Sequence, residues 1–143
     1  INRCYDVTSN ALNTLFEQLS LQNVMLEGIV LKPNMVISGI KCEVQASIEK
    51  VADLTVKCFK ENVPSNVGGI AFLSGGQSSD VATEHLNTMN KKYHDLPWNL
   101  TFSYGRALQQ DSLNAWSGSN RDNGQEELLS RAKNNSLATN GKF

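Results

Sequence analysis

The 143-residue chain has little of what marks a special environment. No apolar run approaches the roughly 20 residues of a membrane-spanning helix, so a membrane role is not expected. Only three cysteines occur, Cys4, Cys42 and Cys58, an odd number without C-x-x-C spacing. That pattern fits neither a disulfide framework nor a thiolate zinc site. Each thiol then reads as a reduced, small apolar side chain, which implies a reducing, intracellular compartment. A surplus of one charge is also missing, since 13 Lys and Arg face 14 Asp and Glu for a formal net charge of −1. A nucleic acid or an anionic membrane surface would call for a basic excess, so neither partner is expected. The opening residues, Ile1 to Asp6, are mostly polar and show no signal-peptide pattern, and they do not begin with Met, so a secretory leader is not expected. The sequons at Asn99-Leu100-Thr101 and Asn134-Asn135-Ser136 therefore carry no weight, and a cytoplasmic protein is expected. What remains is 40% apolar and 19% charged, a globular composition of about one domain's length.

No linker, repeat or low-complexity stretch divides the chain. Val7, Ala11, Leu12, Leu15, Phe16 and Leu19 recur at helical spacing between Cys4 and Ser20. Val24 to Leu31 is a short apolar run that predicts a buried strand, stopped at Lys32-Pro33-Asn34. A helical pattern follows from Glu43 to Glu61, and Gly69 to Leu73 predicts a second strand. Ser78 or Ser79 is placed to cap a helix with Val81, Ala82, Leu86 and Met89 on its inner face. Asn99 to Ser103 predicts a third strand, and helices are expected over about Ala107–Trp116 and Gln125–Ala138, separated by a Gly118–Gly124 loop. Such alternation predicts an α/β fold of parallel strands with crossover helices. Three strands are few for a doubly wound sheet, and a closed (β/α) barrel has eight.

In such folds chemistry collects at the carboxyl ends of the strands. All three ends here carry distinctive residues. Lys32 ends an apolar strand, where desolvating walls would disfavour its ammonium form and leave an amine able to condense with a carbonyl. A lysine that extends its stem along the surface is the alternative. Ser74-Gly75-Gly76 lies between a strand and a helix start, a setting for backbone N–H groups to cradle a phosphate, although turns use such glycines widely. Gly105 permits close approach to the backbone, and Arg106 adds a planar fork suited to phosphate oxygens or to a helix carboxylate. Together they suggest an imine-forming lysine beside a phosphate pocket. His85 and His94 read as surface or internally satisfied side chains. Glu27, on the face opposite Lys32, is expected to pair with a neighbouring helix, and Trp98 and Trp116 to serve packing.

These same segments resemble class I fructose-bisphosphate aldolases. Leu26-Glu27-Gly28-Ile29-Val30-Leu31-Lys32-Pro33-Asn34-Met35-Val36 is similar to that family's active-site segment. Phe72-Leu73-Ser74-Gly75-Gly76-Gln77-Ser78 and Leu100 to Gln109 match two further signatures in order and spacing, and Ala115-Trp116 and Asn135 to Ala138 fit its last helices. The resemblance implies an eight-stranded (β/α) TIM barrel, of which residues 1–143 would be the C-terminal part: the last three βα units and the closing helices. It implies reversible, metal- and cofactor-free cleavage of fructose 1,6-bisphosphate into dihydroxyacetone phosphate and glyceraldehyde 3-phosphate. Lys32 would be the Schiff-base lysine, and Ser74, Gly75, Gly76, Gly105 and Arg106 would bind the 1-phosphate. It further implies a homotetramer, with the N-terminal half of the barrel as the missing partner, carrying the acid–base residues and much of the 6-phosphate site. The isolated segment is accordingly expected to be inactive. The competing readings are a Schiff-base aldolase of the deoxyribose-phosphate aldolase or transaldolase type and a non-catalytic interaction module.

Overall fold

A computed structural model describes residues 1–143 and places a three-stranded parallel sheet among five helices. The elements run α1 (Asn2–Leu21), a single 3₁₀ turn (Leu26–Gly28), β1 (Val30–Leu31), α2 (Ile48–Asn62), β2 (Gly69–Phe72), α3 (Ser79–Lys92), β3 (Leu100–Phe102), α4 (Arg106–Trp116) and α5 (Arg121–Ala138). The strands lie side by side in chain order, with Leu31 opposite Ile70 and Ile70 opposite Leu100. The chain is therefore a small, largely helical α/β structure, and the helix and strand order expected from the sequence is present.

The core lies on one face of the sheet. Leu31, Ile70, Phe72 and Leu100 alternate onto that face and are buried. Phe72 stacks on Phe59 of α2 with ring centroids 5.6 Å apart, and Leu86 and Met89 of α3 are buried in the same cluster. The Trp98 indole is buried as expected and donates to the Pro64 carbonyl at 2.8 Å. Trp116, by contrast, stands half exposed on α4.

Several boundaries differ from the sequence reading. The apolar run from Val24 to Leu31 is extended only at its last two residues, because Leu26–Gly28 closes a tight turn and Val24, Met25 and Val30 face outward. A short apolar run fits more than one backbone state, and here a turn takes most of it. α2 starts at Ile48 and not at Glu43, since Ser47 caps it by accepting from the Lys50 N–H, while Val44 is exposed. The preceding segment is held by other bonds: Val36 N–H to Thr55 Oγ1 at 2.9 Å and Ala46 N–H to Ser38 Oγ at 3.1 Å. α3 carries the Ser78 cap that was expected, but Val81 is turned out while Ala82, Leu86 and Met89 are buried. α5 begins at Arg121, capped by Asn120, so Gly124 lies inside the helix and not in a loop. A Cβ there would sit 2.8 Å from Trp116 Cβ, and the glycine lets α5 close on α4.

Among the cysteines, Cys58 is buried and Cys4 half-buried, consistent with apolar packing, whereas Cys42 is exposed. None is bonded to another. No helix is long and apolar enough to cross a membrane.

Candidate active site

The sheet brings the three strand ends to one edge. Main-chain pairing continues past the strands, with Leu73 N–H donating to Pro33 O at 3.0 Å and Ser103 N–H donating to Phe72 O at 2.8 Å. Extending the register one step sets Lys32 beside Ala71, which pairs with Thr101. Alternation puts Lys32 on the face of β1 opposite the buried Leu31, together with Val30.

That face is open. Val30 is 64% exposed and Lys32 is exposed, so the apolar walls expected around the lysine are not supplied by residues 1–143. The physical reason is that the main core cluster gathers on the Leu31–Ile70–Phe72 side, and on the other face only Gly69 and Ala71 of the central strand are buried while the β1 residues are not. Lys32 is thus placed at a strand end beside the other two, without desolvation from its own chain. Glu27 is corrected likewise: it lies in the 3₁₀ turn, where its carboxylate accepts from Asn66 Nδ2 at 2.7 Å in the α2–β2 connection. That bond holds it below the usual carboxylate range.

Ser74 to Gln77 form a tight turn closed by Gln77 N–H to Ser74 O at 3.1 Å. Its two central residues have positive φ, +61° at Gly75 and +84° at Gly76, a conformation that side-chain-bearing residues resist. Ser74 is buried while both glycines are exposed. The Gln77 side chain folds back and donates to the same Ser74 carbonyl at 2.9 Å. α3 begins two residues later, so its free N–H groups add positive potential at this end.

Gly105 is the residue before α4, and a Cβ placed on it would meet no atom within 4 Å. The backbone there is open to close approach. Arg106, exposed, reaches across from the second loop to the first: a Cβ built on Gly76 would lie 4.0 Å from Arg106 Nη2. Gly76 and Arg106 share a cavity of about 310 Å³ between the starts of α3 and α4. Asp80 and Asp111 also line it, but both lean on Arg131 of α5. Arg131 Nη1 lies 2.8 Å from Asp80 Oδ1, an ion pair without good hydrogen-bond alignment, and Nε is 4.0 Å from Asp111 Oδ2. The glycine turn and the arginine are therefore brought together, while Lys32 lies outside that cavity, joined to it through the sheet.

Four residues that the sequence reading left without a role support this edge. The buried Tyr104 hydroxyl donates to the Ala82 carbonyl of α3 at 2.9 Å, and burial pushes its pKa up. Arg131 ties the first turn of α3 to α4. Gln77 braces the glycine turn. His85, expected to be a surface or satisfied side chain, is buried with one ring nitrogen bonded to Gln77 and the other without a partner. Tyr104, Arg131 and His85 each have a partner on another element, a pairing that spacing along the chain does not reveal. His94 is exposed, as the sequence reading allowed.

Comparison with known proteins places this arrangement. The family model for fructose-bisphosphate aldolase class-I matches residues 1–143. A probable fructose-bisphosphate aldolase class 1 from Xanthomonas axonopodis pv. citri is 51% identical over 146 residues, covering 100% of this chain and 43% of the relative. Fructose-bisphosphate aldolase C from Pan troglodytes is 46% identical, covering 100% of this chain and 40% of its own length. A solved fructose-bisphosphate aldolase from Plasmodium falciparum, in complex with TRAP and a small-molecule inhibitor, superposes with a TM-score of 0.94 at 45% identity, over 99% of this chain and 41% of that one. The chain thus spans about two fifths of the length of these relatives. It belongs to the class I fructose-bisphosphate aldolase family.

Proposed function

We propose that residues 1–143 are the C-terminal part of a single (β/α)8 TIM-barrel domain that cleaves fructose 1,6-bisphosphate reversibly into dihydroxyacetone phosphate and glyceraldehyde 3-phosphate. The observation that carries this reading is the placement of Lys32 on the open face of the sheet, at the same strand-end edge as the Gly75–Gly76 turn and Arg106. Further support comes from the sheet itself. β1 and β3 each have one strand neighbour, and Val30 and Lys32 look into open space. Five more strands, contributed by the N-terminal half of the polypeptide, would pair both edges and wall the open face.

In this reading the Lys32 amine attacks the ketose C2 carbonyl, and loss of water leaves a protonated imine. The imine accepts the electron pair of the C3–C4 bond as it breaks, giving an enamine on Lys32. The C4 hydroxyl gives up its proton to a base outside residues 1–143, and the aldehyde triose phosphate departs. Protonation of the enamine at C3 and attack of water on the imine release dihydroxyacetone phosphate and restore the lysine. Ser74, Gly75, Gly76, Gly105 and Arg106 hold the 1-phosphate, which fixes C2 against Lys32. Such positioning converts the attack into an effectively unimolecular step. The reaction needs no metal or cofactor. The working form is a cytoplasmic homotetramer, and residues 1–143 alone lack the acid–base groups for turnover.

The test is cleavage of fructose 1,6-bisphosphate by the complete polypeptide that carries these residues, in the presence of a metal chelator. Activity that persists with chelator and disappears in Lys32→Met supports the reading. Activity that needs a metal, or survives Lys32→Met, overturns it.

A further inference from the structure

His85 is the more deeply placed of the two histidines, 4% exposed on α3, and its one side-chain hydrogen bond is to Gln77 at the strand-end edge. Its Nδ1 lies 2.6 Å from Gln77 Oε1. The Gln77 amide nitrogen is committed to the Ser74 carbonyl at 2.9 Å and lies 3.6 Å from Met35 Sδ. Turning that amide over would set its oxygen against the Ser74 oxygen, two acceptors face to face. Gln77 Oε1 therefore faces His85 as an acceptor, and the ring proton sits on Nδ1. Nε2 is then an acceptor, buried without a hydrogen-bond partner. Burial also drives the imidazole pKa down to about 4, so the ring is neutral at ordinary pH and keeps this one tautomer.

The chain of bonds thus runs from α3 to the glycine turn. His85 Nδ1–H holds the Gln77 side chain, and that side chain and the Gln77 N–H both hold the Ser74 carbonyl. The turn has reason to need bracing. Both of its central residues are glycines at positive φ, the residue type with most conformational freedom to lose. Neither glycine can lock the turn with a side chain. Free to fluctuate, the turn would have to be ordered at the expense of ligand binding.

We propose that His85 is a positioning residue for phosphate recognition: acting through the Gln77 amide, it holds the Ser74–Gln77 turn in its phosphate-receiving conformation before substrate arrives. The proposal rests on reading that turn as part of the phosphate site. It predicts a loss confined to phosphorylated ligands, because the bracing ends at the turn and does not extend to Lys32.

The test uses the complete polypeptide and traps the Lys32 imine with borohydride over a range of ligand concentrations. Dihydroxyacetone phosphate is compared with dihydroxyacetone, which has the same carbonyl and no phosphate. The wild type should half-saturate at far lower concentrations of the phosphorylated ketone. His85→Ala should raise that half-saturation roughly five- to tenfold, the worth of about one hydrogen bond, and leave trapping of dihydroxyacetone unchanged. His85→Asn, which keeps an N–H donor near Nδ1, should restore the wild-type value to within about twofold. Gln77→Met should reproduce the loss, and the double variant should be no worse than either single one. Gln77→Met also carries the test if His85→Ala does not fold. The proposal is overturned if His85→Ala shifts neither ketone, if it shifts both equally, or if His85→Asn is as impaired as His85→Ala. A wild type that treats the two ketones alike refutes the phosphate reading itself, a result distinct from any of these.

Discussion

The Tyr104 hydroxyl donates to the Ala82 carbonyl at 2.9 Å, joining the loop that leads to Arg106 to the helix that follows Gly75 and Gly76. The two loops come from different strands, and this bond ties the second loop to the helix that the first one leads into. Tyr104→Phe keeps the buried ring and removes only the donor. It should cost about 1 kcal/mol in urea unfolding and weaken binding of phosphorylated ketones by a similar factor. An unchanged urea midpoint together with unchanged half-saturation would show that the tie is idle.

Arg131 makes a second tie, from α5. It is 5% exposed, and its stem is packed while its head faces Asp80 and Asp111. Arg131→Ala should destabilise by about 2–3 kcal/mol, chiefly through lost packing of the buried side chain, since Asp80 and Asp111 remain solvated without it. Lys57 and Glu61 form an exposed pair one helical turn apart at 3.9 Å, and Lys57→Ala should cost less than about 0.5 kcal/mol. Urea midpoints of the two variants, ranked against wild type, check the contrast.

The glycine turn should resist the smallest substitution. A Cβ on Gly76 would meet no atom closer than 3.9 Å, so Gly76→Ala brings no clash. Its cost is conformational, about 1–2 kcal/mol for an L-residue held at a φ of +84°. Relaxation of that strain should move the turn and raise half-saturation by dihydroxyacetone phosphate at least tenfold. Wild-type affinity in Gly76→Ala would mean the turn takes no part in phosphate binding.

His85 also sets an acid limb of stability. Its folded pKa of about 4 lies below the unfolded value near 6.5, so below pH 6.5 the unfolded chain binds the extra proton. Stability should therefore fall as pH drops from 6.5 toward 4, by on the order of 3 kcal/mol, and this contribution levels off below pH 4. Asp53, held below its ordinary range by Lys92 and then Tyr93, adds a separate loss at still lower pH. His85→Asn should flatten the slope between pH 6.5 and 4 and leave the lower limb. The readout is the urea midpoint at half-unit pH intervals.

The strand ends were the most legible part of this chain, because Lys32-Pro33, Ser74-Gly75-Gly76 and Gly105-Arg106 interrupt short apolar runs with residues that strands avoid. The alternation of helices and parallel strands followed from the same punctuation. Less legible was the run from Val24 to Leu31, where apolar residues alone do not separate a strand from a tight turn. The surroundings of Lys32 were not legible for another reason. Its walls depend on what covers the second face of the sheet, where Gly69 and Ala71 of the central strand are buried but Val30 and Lys32 of β1 stand exposed. His85, Tyr104 and Arg131 were invisible as a group, since each meets a partner brought close only by folding, and the bracing by Gln77 depends on the turn that its neighbours form.

The most direct measurement of the central claim is the site of covalent capture. The complete polypeptide is incubated with dihydroxyacetone phosphate, reduced with borohydride, digested and mapped by mass spectrometry. A single modified peptide, carrying the reduced ketone on Lys32 and absent from Lys32→Met, is the result predicted here. Modification at a different lysine, or none at Lys32 in an enzyme that still cleaves the sugar phosphate, would contradict it.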